Sequence, residues 1–202
     1  GSPLIEIPTD LILPWQKILK RLFDIFISFF GMIFISPFLV FIAFKVKKSS
    51  NGTIFFKQKR VGLNGNQFDI IKFRSMYENA ENGTPKLSSE NDERITPFGK
   101  MIRKYRIDEL PQLWNVFVGE MSLVGPRPHL PEEVAKYESR HKKVLTIKPG
   151  ITGYAQVSGR SDLSFEEEVR LDIYYIENWS ILSDIIILLK TPLAVLRSRA
   201  SE

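Results

Sequence analysis

The chain of 202 residues contains no cysteine, which excludes disulfides, thiolate catalysis and Cys-ligated zinc. Histidine is almost as scarce. Only His129 and His141 are present, so a His-rich metal centre or a Ser-His-Asp arrangement has little to draw on. No Gly-Lys-Ser/Thr ending completes a P-loop, no G-x-G-x-x-G follows a strand pattern, and no Asp-x-Asp triplet occurs. Acid is in mild deficit: 28 Lys and Arg against 23 Asp and Glu leave a formal charge of +5. That excess suits anionic partners such as phosphates or anionic lipid. With no dedicated motif beside it, it argues against nucleic acid.

What the chain has in abundance is local. Eight of its fifteen Phe lie between Phe23 and Phe44, and residues 25–44 form a run of twenty without a charge. That length matches a membrane segment. Lys17, Lys20 and Arg21 precede the run and Lys45, Lys47 and Lys48 follow it, whereas a spanning helix carries its basic bias on one side. Ser36-Pro37 sits in the middle. Proline removes a helical hydrogen bond and clashes with the preceding turn, and the eleven residues 25–35 make only about 16 Å of helix, half a bilayer core. Residues 17–48 therefore read as a re-entrant membrane helix that bends at Ser36 and Pro37, with the Ser36 hydroxyl satisfying a freed carbonyl. The alternative is a kinked helix that spans.

Residues 1–16 read as a tag remnant (Gly1-Ser2) and a proline-containing linker, and residues 49–202 as a catalytic domain. Two strand patterns, around residues 53–56 and 68–73, flank Gly62-Leu63-Asn64-Gly65-Asn66, a hairpin signal. Residues 77–97 read as a polar surface loop. Thr96-Pro97 starts a helix expected to reach Arg106. Asp108 reads as the N-cap of a second helix, with Glu109 and Pro111 in its first turn and Leu110, Leu113, Trp114 and Phe117 as its apolar face; Gly119 ends it. Residues 131–143 read as a charged amphipathic helix, and residues 165–178 as another. In residues 180–198 the polar side chains Ser183, Asp184, Lys190, Thr191, Arg197 and Ser198 form a narrow stripe on an apolar cylinder, which suits a helix lying in a bilayer interface or one buried in a core. The fold class is α/β, mostly helical.

Asp108-Glu109 is the first chemical candidate. An Asp at a helix N-terminus is held ionised by free N–H groups and the helix dipole, and is then a competent oxygen nucleophile; most such Asp residues only cap. Before this pair stand Arg94, Lys100, Arg103, Lys104 and Arg106 with no acid among them. Lys72, Arg74 and the proline-flanked Arg127 add further cations. Guanidinium forks bind phosphate oxygens bidentately, so a carboxylate among them fits phosphoryl chemistry, by attack or by holding Mg²⁺. A solvated basic face against lipid headgroups is the competing reading. A third candidate, the glycine-rich stretch 149–160 with Gln156 and Arg160, is a weak nucleotide-loop signal by itself.

Taken in order, Lys20-Arg21-Leu22-Phe23-Asp24, Ser36-Pro37, Gln58 with Arg60-Val61-Gly62, Lys72-Phe73-Arg74-Ser75-Met76, Asp108-Glu109-Leu110-Pro111-Gln112-Leu113-Trp114-Asn115, Met121-Ser122-Leu123-Val124-Gly125-Pro126-Arg127-Pro128 and Lys148-Pro149-Gly150-Ile151-Thr152-Gly153 to Gly159-Arg160 resemble the monotopic polyprenyl-phosphate phosphoglycosyl transferases, the bacterial sugar transferase family. The resemblance implies a re-entrant membrane helix hairpin, a small α/β catalytic unit and interfacial amphipathic helices, at the cytoplasmic face of the bacterial inner membrane. It implies transfer of a sugar-1-phosphate from a UDP-sugar to polyprenyl (undecaprenyl) phosphate with release of UMP, the first membrane step of polysaccharide or glycoconjugate synthesis. Asp108 would form an aspartyl phosphosugar, and Glu109 would assist through Mg²⁺ or by tuning Asp108. Lys72, Arg74, Arg103, Arg127, Gln156 and Arg160 would bind substrate. Tyr154 and Ser158 depart from the residues frequent in the family at those positions. The residues ahead of Lys20 resemble the linker of longer members, so the chain is expected to be the catalytic domain of such a protein; membrane lipid is an expected partner, and a homodimer a further one.

Overall fold

The computed structural model describes residues 12–78, 92–159 and 163–198. Its longest element, α1 (Pro14–Ser49), begins at a proline whose missing N–H falls among the unpaired donors of a first turn. The Gln16 side chain accepts the Leu13 N–H there at 2.9 Å. Lys47 and Lys48 close it in the last turn, where cations complement the helix dipole. The helix runs as one element through Pro37. Pro37 cannot donate to the carbonyl four residues earlier, that of Ile33. The Ser36 hydroxyl donates to it instead, at 2.8 Å, which is the compensation expected from the sequence.

The fully buried residues of α1 lie toward its two ends. Lys20, Asp24 and Ser28 are buried near its start, and Ile42 and Val46 near its end. Between them Phe26, Phe30, Ile33, Phe34, Phe38, Val40 and Phe41 are exposed, Phe34 to 86%. Among the described residues α1 is the one helix long and apolar enough to cross a membrane.

Strands β1 (Phe55–Val61) and β2 (Gln67–Phe73) form an antiparallel hairpin with Phe56 opposite Lys72 and Arg60 opposite Phe68. The first strand lies later than residues 53–56. Asn64 takes the left-handed conformation (φ 56°) in the turn, as its Asn-Gly pair favours. Helix α2 (Pro97–Lys104) is capped by Thr96, whose Oγ1 accepts the Gly99 N–H at 2.8 Å. A 3₁₀ turn follows (Ile107–Glu109), then α3 (Gln112–Val118), which ends at Gly119 with φ 96°.

Strands β3 (Ser122–Val124) and β4 (Gly150–Thr152) pair in parallel. Residues 131–143 do not form one helix. Only α4 (Pro131–Val134) is α-helical, and a 3₁₀ segment (His141–Thr146) follows. Tyr137, His141 and Val144 keep a helix-like spacing of inward residues, but two short turns deliver them to the buried side. Helices α5 (Tyr154–Ser158), α6 (Phe165–Glu177) and α7 (Ile181–Ser198) complete the chain. Ser164 and Glu167 form a capping box at the start of α6.

The main core joins Phe68 and Ile70 of β2, Val116 of α3, Met121, Leu123 and Val124, Tyr175 and Ile176 of α6, Trp179 between α6 and α7, and Ile187 of α7. A second cluster seats Ile42 and Val46 of α1 on Phe73 and Ile102.

Asp184 and Thr191 of the α7 polar stripe point inward, while Lys190 is exposed. Asp184 is 1% exposed and its Oδ2 accepts from Lys20 Nζ at 2.6 Å. Tyr175 Oη donates to its other oxygen at 2.6 Å, and Trp179 Nε1 lies at 3.3 Å. Thr191 meets Thr152 of β4 at 2.7 Å. Leu182, Ile186, Leu189, Leu193 and Leu196 face outward, more than a third exposed. The side chains of Arg197 and Ser198 and the whole of Arg160 lie outside the described residues.

Candidate active site

Asn115, fully buried on α3, docks that helix on the edge of β2. Its Oδ1 accepts the Ile71 N–H at 3.1 Å and its Nδ2 donates to the Asp69 carbonyl at 2.8 Å. Arg21 of α1 closes the other end of α3, donating to the Val116 and Phe117 carbonyls at 2.6 and 2.7 Å. With α3 fixed at its middle and its C-terminal end, the turn just before it packs near β2.

That turn carries Asp108 and Glu109. Glu109 Oε1 accepts from Lys72 Nζ at 2.9 Å and from Arg106 Nη1 at 3.2 Å. Arg106 enters the turn in the left-handed region (φ 57°), a conformation costly for a residue with a Cβ. Its N–H donates to the Arg103 carbonyl, and its own carbonyl accepts the Glu109 N–H. Arg103 donates Nε to Ser75 Oγ at 2.7 Å.

Asp108 is 7% exposed. It is a member of the 3₁₀ turn rather than an N-cap: Pro111 occupies the cap position of α3. The pKa expectation changes with it. Burial, and then the charge of Glu109, push its carboxyl up to about 6 against the pull of Lys72, Arg106 and Arg103. At pH 7 roughly nine in ten molecules still carry the ionised form. Three neighbouring cations thus favour the ionised form against burial and Glu109.

Mg²⁺ is commonly held by one or two carboxylates together with substrate phosphate oxygens. Among the described residues no group of three or more acidic or histidine side chains gathers for a metal. Asp108 and Glu109 remain a fitting pair for such a shared site, because each charge disfavours the other and a divalent cation would offset both.

The other expected residues lie around this centre at different remove. Arg74 is 9% exposed and donates Nη2 to the Ser50 carbonyl at 2.8 Å, fastening the exit of α1. Arg127 projects an exposed side chain beside Arg60. Arg60 is half-buried; burial and then the Arg127 charge lower its pKa, while the carboxylate of Glu109 raises it. Glu133 acts on Arg60 more strongly still, so Arg60 is within electrostatic reach of Glu109 as one of several acidic neighbours. Gln156 lies on α5 with Oε1 buried and without a hydrogen-bond partner. Arg60 and Arg106 were not singled out as site residues from sequence; the Gln58-x-Arg60 motif and the cation run before Asp108 were the available signals.

The bacterial sugar transferase family model matches residues 15–198. The exopolysaccharide production protein ExoY of Sinorhizobium fredii is 39% identical over 96% of this chain and 92% of its own length. An undecaprenyl-phosphate galactose phosphotransferase of Salmonella typhimurium is 40% identical over 96% of this chain, which spans 44% of that protein. An undecaprenyl-phosphate glucose phosphotransferase of Komagataeibacter xylinus is 40% identical over 88% of this chain and 36% of its own length.

Proposed function

The chain belongs to the bacterial sugar transferase family, and on that premise we propose that it moves a sugar-1-phosphate from a UDP-sugar to polyprenyl phosphate, releasing UMP. The observation that carries this reading is the buried Asp108 carboxyl within electrostatic reach of Lys72, Arg106 and Arg103, next to Glu109, which Lys72 pairs. Relatives named as undecaprenyl-phosphate sugar phosphotransferases support the acceptor class.

In the first half-reaction an Asp108 oxygen forms a bond to the β-phosphorus of the donor. The bond from that phosphorus to the bridging oxygen breaks, and UMP leaves with the electron pair. In the second, a phosphate oxygen of the polyprenyl acceptor attacks the same phosphorus, the acyl-phosphate bond breaks, and Asp108 is regenerated. Lys72, Arg103 and Arg106 offset the charge of the phosphates, a preorganised contribution that acts strongly in a water-poor site. Glu109, pinned by Lys72 and Arg106, keeps those cations in place beside Asp108. Asp108 and Glu109 would hold Mg²⁺, which would supply further charge neutralisation.

A lipid acceptor and a soluble donor meet at a membrane surface. We place α1 as a re-entrant helix at the cytoplasmic face of the inner membrane. Support comes from its two ends, both seated on the same protein body, and from the exposed phenylalanines between them. An apolar hollow lined by Leu19, Phe23, Phe26, Phe30, Phe117 and Ile181 suits the lipid environment of the acceptor.

The test is a screen for UMP release from a panel of UDP-sugars with undecaprenyl phosphate. UMP as product supports the reading; UDP would mean sugar transfer without the phosphate. Asp108→Asn should abolish UMP release even with no acceptor present, and retained release would remove Asp108 as the nucleophile.

A further inference from the structure

The C-terminal end of α3 gathers more positive charge than the helix needs. Arg21 of α1 already donates to its last carbonyls, those of Val116 and Phe117, at 2.6 and 2.7 Å. A second cation, Lys148, arrives from the segment before β4. The adjoining Pro149 carbonyl accepts the Ser122 N–H at 2.8 Å, which fixes the chain there beside β3. Gly119 takes φ 96°, and a side chain on it would begin 3.1 Å from Arg21 Nη2 and 3.3 Å from Lys148 Nζ. Both cations therefore stand side by side over one bare stretch of backbone. Among the described residues no carboxylate forms an ion pair with either. Asp24 is near enough to favour the charge on Lys148, but its Oδ1 accepts the Leu123 N–H at 3.0 Å. Burial and then the Arg21 charge lower the Lys148 pKa. An anion placed on the pair would relieve both effects of like charge at close range.

The pair borders the apolar hollow. The Arg21 guanidinium sits on the Phe117 carbonyl, and the Phe117 side chain lines the hollow with Leu19, Leu22, Phe26 and Ile181. Its volume of about 660 Å³ is that of a cleft able to take a ligand rather than of a packing gap. Leu19, Leu22 and Phe26 are exposed, so the hollow opens outward. Along α1, Arg21 lies four residues before the charge-free run begins at Ile25, about 6 Å of rise, which puts its charge at headgroup depth when that run enters the hydrocarbon.

We propose that Arg21 and Lys148 bind the phosphate of an anionic membrane phospholipid whose acyl chain lies in this hollow. The membrane placement of α1 given under Proposed function underlies it. Charge and shape together select the occupant: a neutral lipid leaves the two cations without a counter-charge, and a soluble anion leaves the hollow bare. The polyprenyl acceptor is a different lipid. Its phosphate has to reach Asp108, on the turn before α3, whereas the pair closes the opposite end of that helix, about 10 Å away along its axis.

The experiment places the protein in nanodiscs made of equal parts phosphatidylcholine and phosphatidylglycerol and counts the lipids it retains by native mass spectrometry. Wild type should retain phosphatidylglycerol in preference to phosphatidylcholine. Lys148→Gln should lower that preference about fivefold, the scale of one basic side chain at an anionic leaflet, and Lys148→Arg should restore it. Inorganic phosphate should not displace the lipid, because it gains nothing from the hollow. Undecaprenyl phosphate added to the bilayer should leave the count unchanged. Equal retention of the two lipids by wild type would overturn the site even if Lys148→Gln failed to fold. An unchanged preference in Lys148→Gln, or displacement by inorganic phosphate, would also overturn it, and displacement by undecaprenyl phosphate would assign the pair to the acceptor instead. A protein that enters nanodiscs of neither lipid would overturn the membrane placement on which the proposal stands.

Discussion

Asp108 holds a carboxyl whose ordinary value of 3.8 is pushed up to about 6 by burial and by Glu109. A folded pKa above the unfolded one means that the protonated form is the one folding favours. That stability is complete below about pH 4 and is lost as pH rises through 6. At neutral pH the ionised group costs the native state on the order of 3 kcal/mol. Asp108→Asn, inactive in UMP release, should therefore unfold at a higher temperature than wild type at pH 7.5 and at the same temperature near pH 4. Thermal melts at the two pH values check this. Arg106 gives a second test at the same scale. Arg106→Gly and Arg106→Ala both remove the clamp on Glu109, but only glycine suits φ 57°. The glycine variant should be more stable than the alanine variant by about 1 kcal/mol in chemical unfolding. None of this was readable from spacing. The run Arg103-Lys104-Tyr105-Arg106-Ile107-Asp108 announces cations before a carboxylate, but a 3₁₀ turn with a left-handed residue has no periodic signature. A Pro three residues after Asp108 suggested a cap that the chain forms at Pro111 instead.

Among the elements, α1 was the most legible, because its charge-free run leaves few alternatives. The β1–β2 hairpin followed from Asn64-Gly65, and α6 matches the helix expected at residues 165–178. Residues 131–143 misled for a physical reason: Tyr137, His141 and Val144 recur at helical spacing, yet the chain meets it with α4 and a separate 3₁₀ segment. The stripe on α7 was visible as a pattern, but not its direction. A single Asp among Ile and Leu reads equally as a solvent edge or a buried pair, and the partner, Lys20, lies far away in sequence. The re-entrant placement of α1 makes its own prediction. Labels attached in place of Lys17 and of Lys47 in intact membranes should both be reached by a cytoplasmic reagent and neither from outside. Labelling from opposite sides would mean that the helix spans.

At the scale of the whole molecule, the Lys20–Asp184 pair ties the start of α1 to α7, with Tyr175 and Trp179 completing the shell around the carboxylate. Breaking one half of a buried pair leaves a charge without a counterpart and costs about 3–5 kcal/mol, whereas replacing both halves by apolar residues is close to neutral. Lys20→Met should therefore lower the unfolding temperature sharply, and Lys20→Met with Asp184→Leu should recover most of the loss. Equal destabilisation in both would show that the bonds from Tyr175 and Trp179, rather than the ion pair, hold α7 in place.

With Asp184 of α7 turned inward and Leu182, Leu189, Leu193 and Leu196 outward, and with the bare phenylalanines of α1, the molecule keeps its greasiest surfaces for its surroundings. Stripped of amphiphile, such faces seek one another. Purified without detergent or nanodisc the protein should clump, and a large apparent size on gel filtration would then report shared micelles or aggregates, so counting subunits calls for a mass measurement that subtracts the bound surfactant.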